Sequence, residues 1–372
     1  MESRNPLDRP LPSLRKHVVA AFLLLAAVSL FIVTTAVSEV APEVGGTVAL
    51  PPRPEIPASD TLLAETDEAA LPDLLEGIIE DGANPTEGLV VPDVTEPSGP
   101  KAITVAPRKP DPLPKAPITA LQTRSTHGYI PAVDEDGRTV FKAYARPYSK
   151  GRKPTLSVVV GGLGINPAMT RRAIEELPPE VTLAFAAHAP NLQADIDRAR
   201  EYGHEVILEL PMEGQYTDPS EPGADRLLRT DDAANMLSNL DYLLSRASGY
   251  FAVAPYNGDI LLARSDAAGP VLSQIESAGL GFIADPQLSI ATLKTTANAI
   301  KLPYSQGSML IDETPEQELI ERDLEKLRAQ ALSGGAPIGF GFAYPQTIDA
   351  LITFVSTLDR VELAPASAAF PK

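Results

Sequence analysis

The chain has 372 residues, a length that suits two or three structural units. It contains no cysteine, which excludes disulfides, thiolate metal sites, a thiol nucleophile and a lipidated cysteine anchor. Its formal net charge is -18, about −14 of it after Pro154, which argues against nucleic-acid partners and against nonspecific attraction to anionic lipid.

The first element is an uncharged apolar run over residues 18–37, VVAAFLLLAAVSLFIVTTAV, long enough to cross a bilayer as a helix. Arg4, Arg9, Arg15 and Lys16 precede it, and Glu39 and Glu43 follow it. The positive-inside rule then leaves residues 1–17 in the cytoplasm and exports the rest, as a single-pass protein of a bacterial inner membrane with its C-terminal domain in the periplasm. A cleaved signal peptide is the alternative, with Thr34 and Ala36 near a cleavage site, but the run exceeds the usual signal core. Both readings export the domain.

Residues 38–128 are rich in proline and acidic side chains, a composition that suits a solvated, disordered tether. Within it Leu71, Leu74, Leu75, Ile78 and Ile79 recur at helical spacing, which fits either a short partner-binding helix or a transient one. Residues 129–153 carry aromatics around a Glu-Asp-Gly turn signal and read as an arm packing on the domain that follows.

From 154 to 370 the pattern alternates. Strands are expected at Leu156–Val160, Val181–Phe185, Glu205–Leu210, Tyr250–Ala254, Gly281–Ala284, Ile300–Pro303, Pro337–Gly341 and Arg360–Leu363. Helices are expected at Ala168–Leu177, Leu192–Tyr202, Asp231–Arg246, Asp266–Ala278, Ile290–Ala299, Pro315–Leu332 and Gln346–Leu358, with Thr230 and Thr314 as caps. Such alternation predicts an α/β fold with parallel strands and outer helices, a barrel rather than an open sheet. Chemistry in such barrels sits at the C-terminal strand ends.

The first strand ends in Gly161-Gly162-Leu163-Gly164. A phosphate cradle would need GxGxxG spacing or a Gly-Lys-Ser/Thr end, and neither is present. A tight turn with positive φ is the plain alternative. The mouth also offers the carboxylates Glu209, Glu213, Asp259, Asp285 and Asp312, and the aromatics Tyr216, Tyr256, Phe342 and Tyr344. Paired acids could cleave a glycosidic bond or hold Mg²⁺ or Ca²⁺, and they could equally be solvated and inert. The only histidines after Pro154 are His188 and His204.

The stretch PTLSVVVGGLGINPAMTRRAIEELPPEVTLAFAAHAPNLQADIDRAREYGHEVILELPMEG, followed by GLGFIADPQLS, LIDETPEQELIERDLEKL, GAPIGFGFAYPQTIDAL and RVELAPASA, resembles the divergent polysaccharide deacetylase family of bacterial envelope proteins. The resemblance implies a deformed (β/α) barrel of the carbohydrate-deacetylase type, in which active relatives use a divalent metal to polarise an acyl group and activate water. It also implies two aspartates where this chain has Gly161 and Gly162, and a histidine at Glu209. An Asn-His pair is replaced by Pro255-Tyr256, an Asp-Ser pair by Ala284-Asp285, and a histidine by Phe342.

With those positions changed, no catalytic residue, metal or cofactor is expected. Glu209, Glu213, Tyr256, Asp259, Asp285 and Tyr344 remain candidates for binding a ligand. The expected function is a catalytically degenerate domain in envelope carbohydrate metabolism that binds a polysaccharide, such as peptidoglycan, or an envelope protein. An active hydrolase with a rearranged carboxylate site and a purely structural envelope scaffold are the alternatives.

Overall fold

The computed structural model describes residues 111–371, apart from 219, 221–222 and 289–290. The apolar run at 18–37, the tether up to residue 110 and the island Leu71–Gly82 lie outside the described residues. Among the described residues no helix is long and apolar enough to cross a membrane.

The described chain opens with an antiparallel hairpin, β1 (Gln122–Ser125) against β2 (Gly128–Pro131), and a short helix α1 (Val140–Tyr144). The packed arm therefore starts before residue 129, because β2 needs β1 as its hydrogen-bonding partner. Strand and helix then alternate: β3 (Thr155–Leu163), α2 (Pro167–Glu176), β4 (Thr182–Ala186), α3 (Leu192–Glu201), β5 (Val206–Met212), α4 (Ala233–Ser245) and β6 (Ala252–Asn257). There follow α5 (Asp259–Ala263), α6 (Ser265–Ser277), β7 (Gly281–Ala284), α7 (Ala291–Ala299), β8 (Tyr304–Gln306) and β9 (Met309–Leu310). The last elements are α8 (Gln317–Leu332), β10 (Ile338–Phe342), α9 (Pro345–Ser356) and β11 (Glu362–Leu363).

All pairings after the hairpin are parallel, in the order β8-β7-β6-β5-β4-β3-β10-β9, with β11 on the start of β3. Buried parallel strands must be apolar on both faces, and they are: every residue of β4 and β7 is buried, and β5 is buried except at Glu209. The two ends of the ladder, β8 and β9, are separated by Gly307 and Ser308. The Gly307 N–H donates to Ala284 O (2.9 Å) and the Ser308 N–H to Ile338 O (2.8 Å), so one chain segment ties β7 to β10. The architecture is an α/β half-barrel of parallel strands consistent with a TIM-like, deformed barrel.

Several local expectations shift. The strand expected at Ile300–Pro303 lies at Tyr304–Gln306, and β9 and α5 were not expected. Thr314 does not cap: α8 starts at Gln317 behind Glu316. Thr230 does not cap α4 either, since its hydroxyl and N–H both bind Glu213 Oε2 at 2.7 Å. The cap that works is Asn166, whose side chain accepts from the N–H groups of Ala168 and Met169 ahead of Pro167.

The base of the barrel is sealed by the arm. Phe141 packs against Phe251 and Phe370, with ring centroids 5.5 and 5.0 Å away. Arg200, near the C-terminus of α3, is buried and donates to the carbonyls of Pro114, Tyr144 and Gly249 at 2.8–3.1 Å, with its guanidinium over the Tyr144 ring. Burial lowers its pKa to about 10. His204 is also fully buried here, its ring nitrogens against Val181 O and Ile174 O, and burial lowers its pKa to about 4. That position gives it a structural role, as expected from the turn that carries it.

Arg200→Ala would leave the buried carbonyls of Tyr144 and Gly249, and the less buried one of Pro114, without their donor, and the expected cost is about 3 kcal/mol. Urea unfolding of residues 111–371 checks this. A midpoint unchanged from the parent would contradict the arm's role.

Candidate functional site

The expected positive-φ turn comes later than Gly161: it lies at Gly164, with φ +89. β3 runs on through Gly161 and Gly162 to Leu163. Val160 pairs with Leu183 and Leu163 with Phe185, so β3 holds one more residue than β4 across that interval. That is a β-bulge, a device that re-aims backbone groups next to functional sites. Gly162 takes φ +71 within it, a left-handed conformation open to glycine. Its N–H points at Glu209 and donates to both carboxylate oxygens, at 3.1 and 3.2 Å.

Glu209 projects from β5 into the space above Gly161. A Cβ built on Gly161 would lie 2.3 Å from Glu209 Oε1. A side chain at 161 and this placement of Glu209 are therefore mutually exclusive. The glycines are not simply vacated positions; the carboxylate from β5 occupies that volume.

Two cavities meet at Glu209. The larger, about 690 Å³, takes in Asn166, His188, Thr217 and Tyr344 among its lining residues. The smaller, about 350 Å³, takes in Tyr216, Asp259 and Asp285. Tyr256, Asn257, Phe342 and Glu209 line both, so the mouth is one cleft with Glu209 at its waist. Among the described residues no lysine or arginine lines either lobe. Burial pushes the Glu209 carboxyl up to about 7; the Gly162 N–H opposes that, and the charge of Asp285 adds to it. Burial also raises Asp285 and Asp312.

The expected site residues separate into two sets. Glu209, Tyr256, Asp259, Asp285, Phe342 and Tyr344 line the cleft. Tyr216, Tyr256 and Tyr344 are 84, 40 and 41% exposed, which leaves ring surface available to a ligand. Glu213 does not line it: its Oε2 fastens Thr230. Asp312 is buried, with Oδ2 accepting from the Phe342 N–H and the Thr347 hydroxyl. Asn166, Thr217 and Asn257 line the cleft without having been anticipated. Asn257 has φ +62, an asparagine-tolerated left-handed position before Gly258, and only that Asn-Gly pair hinted at it.

A profile described as "Divergent polysaccharide deacetylase" matches residues 158–370. Among solved structures, an uncharacterised protein from Agrobacterium tumefaciens is 32% identical, with a TM-score of 0.61, covering 64% of this chain and 98% of its own. An AP endonuclease of family 2 from Brucella melitensis is 11% identical with a TM-score of 0.29, covering 55% of this chain and 100% of its own. A xylose isomerase-like TIM barrel/4-hydroxyphenylpyruvate dioxygenase fusion protein is 9% identical with a TM-score of 0.32, covering 53 and 41%. No curated protein matches.

The divalent metal that the resemblance implies does not fit the donors present. Among the described residues no three His, Asp or Glu side chains stand close enough to share an ion. Glu209 is instead held by the Gly162 N–H, which bridges both of its oxygens.

Two predictions follow from this geometry. Gly161→Ala would push the flexible end of Glu209 out of its cradle, at an expected cost of about 1–2 kcal/mol for the lost bonding. In combination with Glu209→Ala the penalty would be less than additive by about 1 kcal/mol, read in a double-mutant cycle of unfolding free energies. The pH dependence has a defined sign. Glu209 binds a proton more tightly folded (about 7) than unfolded (4.5), so its contribution to stability falls as pH rises from about 4.5 to 7. The size is up to about 3 kcal/mol, and Glu209→Gln would flatten that part of the stability–pH curve.

Proposed function

Since the chain belongs to the divergent polysaccharide deacetylase family, we propose that its barrel mouth binds a linear envelope polysaccharide, peptidoglycan foremost, without removing acetyl groups from it. The observation that carries this reading is the exchange at Gly161. A neutral-leaning carboxyl from β5, bonded to backbone, fills the volume that a metal-binding acid pair would need. What remains is a two-lobed cleft long enough for more than one sugar, rimmed by half-exposed or exposed tyrosines. Pyranose rings present C–H faces that stack on aromatics and hydroxyls that bond to Asn, Thr and carboxyl groups, which is the mixture this cleft offers. The chain acts outside the inner membrane in this reading, held by the apolar run at 18–37.

One observation favours a second reading. Glu209 and Asp285 share a lobe, and burial pushes the Glu209 carboxyl up to about 7, so that a protonated fraction persists at neutral pH. Such a pair could hydrolyse a glycosidic bond, Glu209 giving its proton to the departing sugar oxygen while Asp285 takes one from the attacking water.

Both readings face one experiment. Soluble peptidoglycan fragments are titrated into the protein by calorimetry, and the mixtures are assayed for released acetate and for new reducing ends, with and without added zinc. The expected result is saturable binding weakened about tenfold or more by Tyr256→Ala or Tyr344→Ala, with neither product formed. Reducing ends abolished by Glu209→Gln would establish the second reading. Zinc-dependent acetate would overturn both, and absence of binding would remove the first.

A further inference from the structure

The domain's acidic average conceals one basic surface. From Lys142 to Lys153 the chain reads KAYARPYSKGRK, five cations and no carboxylate, whereas Pro154 onward carries about 29 carboxylates against 15 cations. The structure puts this stretch at the base of the barrel. Lys153 stands two residues before β3 begins, and the mouth lies at the other end of the same strand, about 25–30 Å away by strand rise.

Here a groove of about 720 Å³ takes in Tyr148, Arg152 and Lys153 on its rim, over aliphatic side chains that include Val355, Leu358 and Val361. Arg146 in its wall is held by Glu180 (3.4 Å) and Gly203 O (2.7 Å). Lys150, Arg152 and Lys153 are exposed and make no ion pair among the described residues. Glu362 lies against this stretch, its Oε2 3.0 Å from where a Cβ on Gly151 would stand, without pairing with any of the three. Glu180 and Glu362 are the carboxylates lining this groove.

We propose that this base is a docking surface for anionic phospholipid. The pairing of a cationic rim with a partly buried aliphatic floor and a tyrosine suits the phosphate layer and the glycerol–acyl boundary of a leaflet surface. The domain's net charge argues against nonspecific attraction to anionic lipid, but screening limits each charge to about 8–10 Å, so a leaflet at the base would meet the local patch and not the domain's total. The described chain also enters at this end: the Asp111 carbonyl and the Arg146 guanidinium both flank Gly203. A membrane-length apolar run upstream gives the chain a lipid surface to meet. Docked by its base, the barrel would hold its mouth away from the lipid, facing the polysaccharide of the proposed function. The inference rests on that reading only for this last consequence.

The test uses residues 111–371, which contain every strand of the barrel and its core cluster and omit the apolar run. Cosedimentation is measured with vesicles of phosphatidylcholine alone and of phosphatidylcholine with phosphatidylglycerol. Association with the anionic vesicles only, declining as salt rises, is expected. The triple variant Lys150→Glu/Arg152→Glu/Lys153→Glu should weaken it at least about tenfold with an unchanged unfolding midpoint. No association with anionic vesicles, or equal association of the triple variant, overturns the proposal. So does stronger capture by a soluble polyanion such as heparin than by the vesicles, since the patch would then be a polymer site. No glycan is present, so the outcome is independent of whether the mouth binds one.

Discussion

The mouth of this barrel is organised by a contest for one small volume. The atoms above Gly161 can be a side chain on β3 or the carboxyl of Glu209 on β5, and 2.3 Å between the two forbids both. The rest of the site adapts to the second choice. The bulge in β3 turns the Gly162 N–H toward the carboxyl, and glycine at that position permits the φ that the bulge requires. With the carboxyl placed at the waist, two cavities become one cleft, and the half-exposed rings of Tyr256 and Tyr344 are left to face whatever lies across it.

The two ends of the barrel are stabilised by different physics. At the base, a buried guanidinium collects three carbonyls from segments far apart in the chain, and Phe141, Phe251 and Phe370 close the apolar floor. Those contacts have a complete set of partners. At the mouth, by contrast, Glu209 and Asp285 are desolvated without a cation beside them. Such an arrangement costs stability, and sites of that kind are where a ligand or proton completes the bonding.

Much of the architecture is legible in the residues because parallel strands must be apolar on both faces. Runs such as Val158–Val160 and Val206–Leu208 announce themselves, and the intervening amphipathic segments follow as helices. What stays hidden is long-range geometry. Thr230 has the composition of a cap, but Glu213 reaches it first. The strand after α7 begins late and is broken at Gly307, since its task is to bridge two neighbours rather than lie beside one. In the sequence, Gly161 looks like a missing acid and Glu209 like a missing histidine, two separate losses 48 positions apart. Only the fold makes them a single exchange. Net charge hides local detail in the same way, since an average over the domain says nothing of Lys150, Arg152 and Lys153, which follow one another before β3.

That placement bears on how the mouth should be understood. If the site had merely lost its chemistry, the cheapest occupant of the space over Gly161 would be an apolar side chain, which packs without a desolvation penalty. Instead the space holds a carboxyl whose own burial raises its pKa to about 7, with one backbone N–H as compensation. One hydrogen-bonded amide recovers only part of the desolvation of an ionised acid. The remainder is a penalty that grows as pH rises from about 4.5 to 7, while the Gly162 N–H, which donates to both oxygens, suits a carboxyl better than an amide of the same shape. A carboxyl that is costly to fold around, placed at the waist of the mouth cleft, can accept a hydrogen bond when ionised and donate one when protonated, and a group that completes its bonding would relieve that cost.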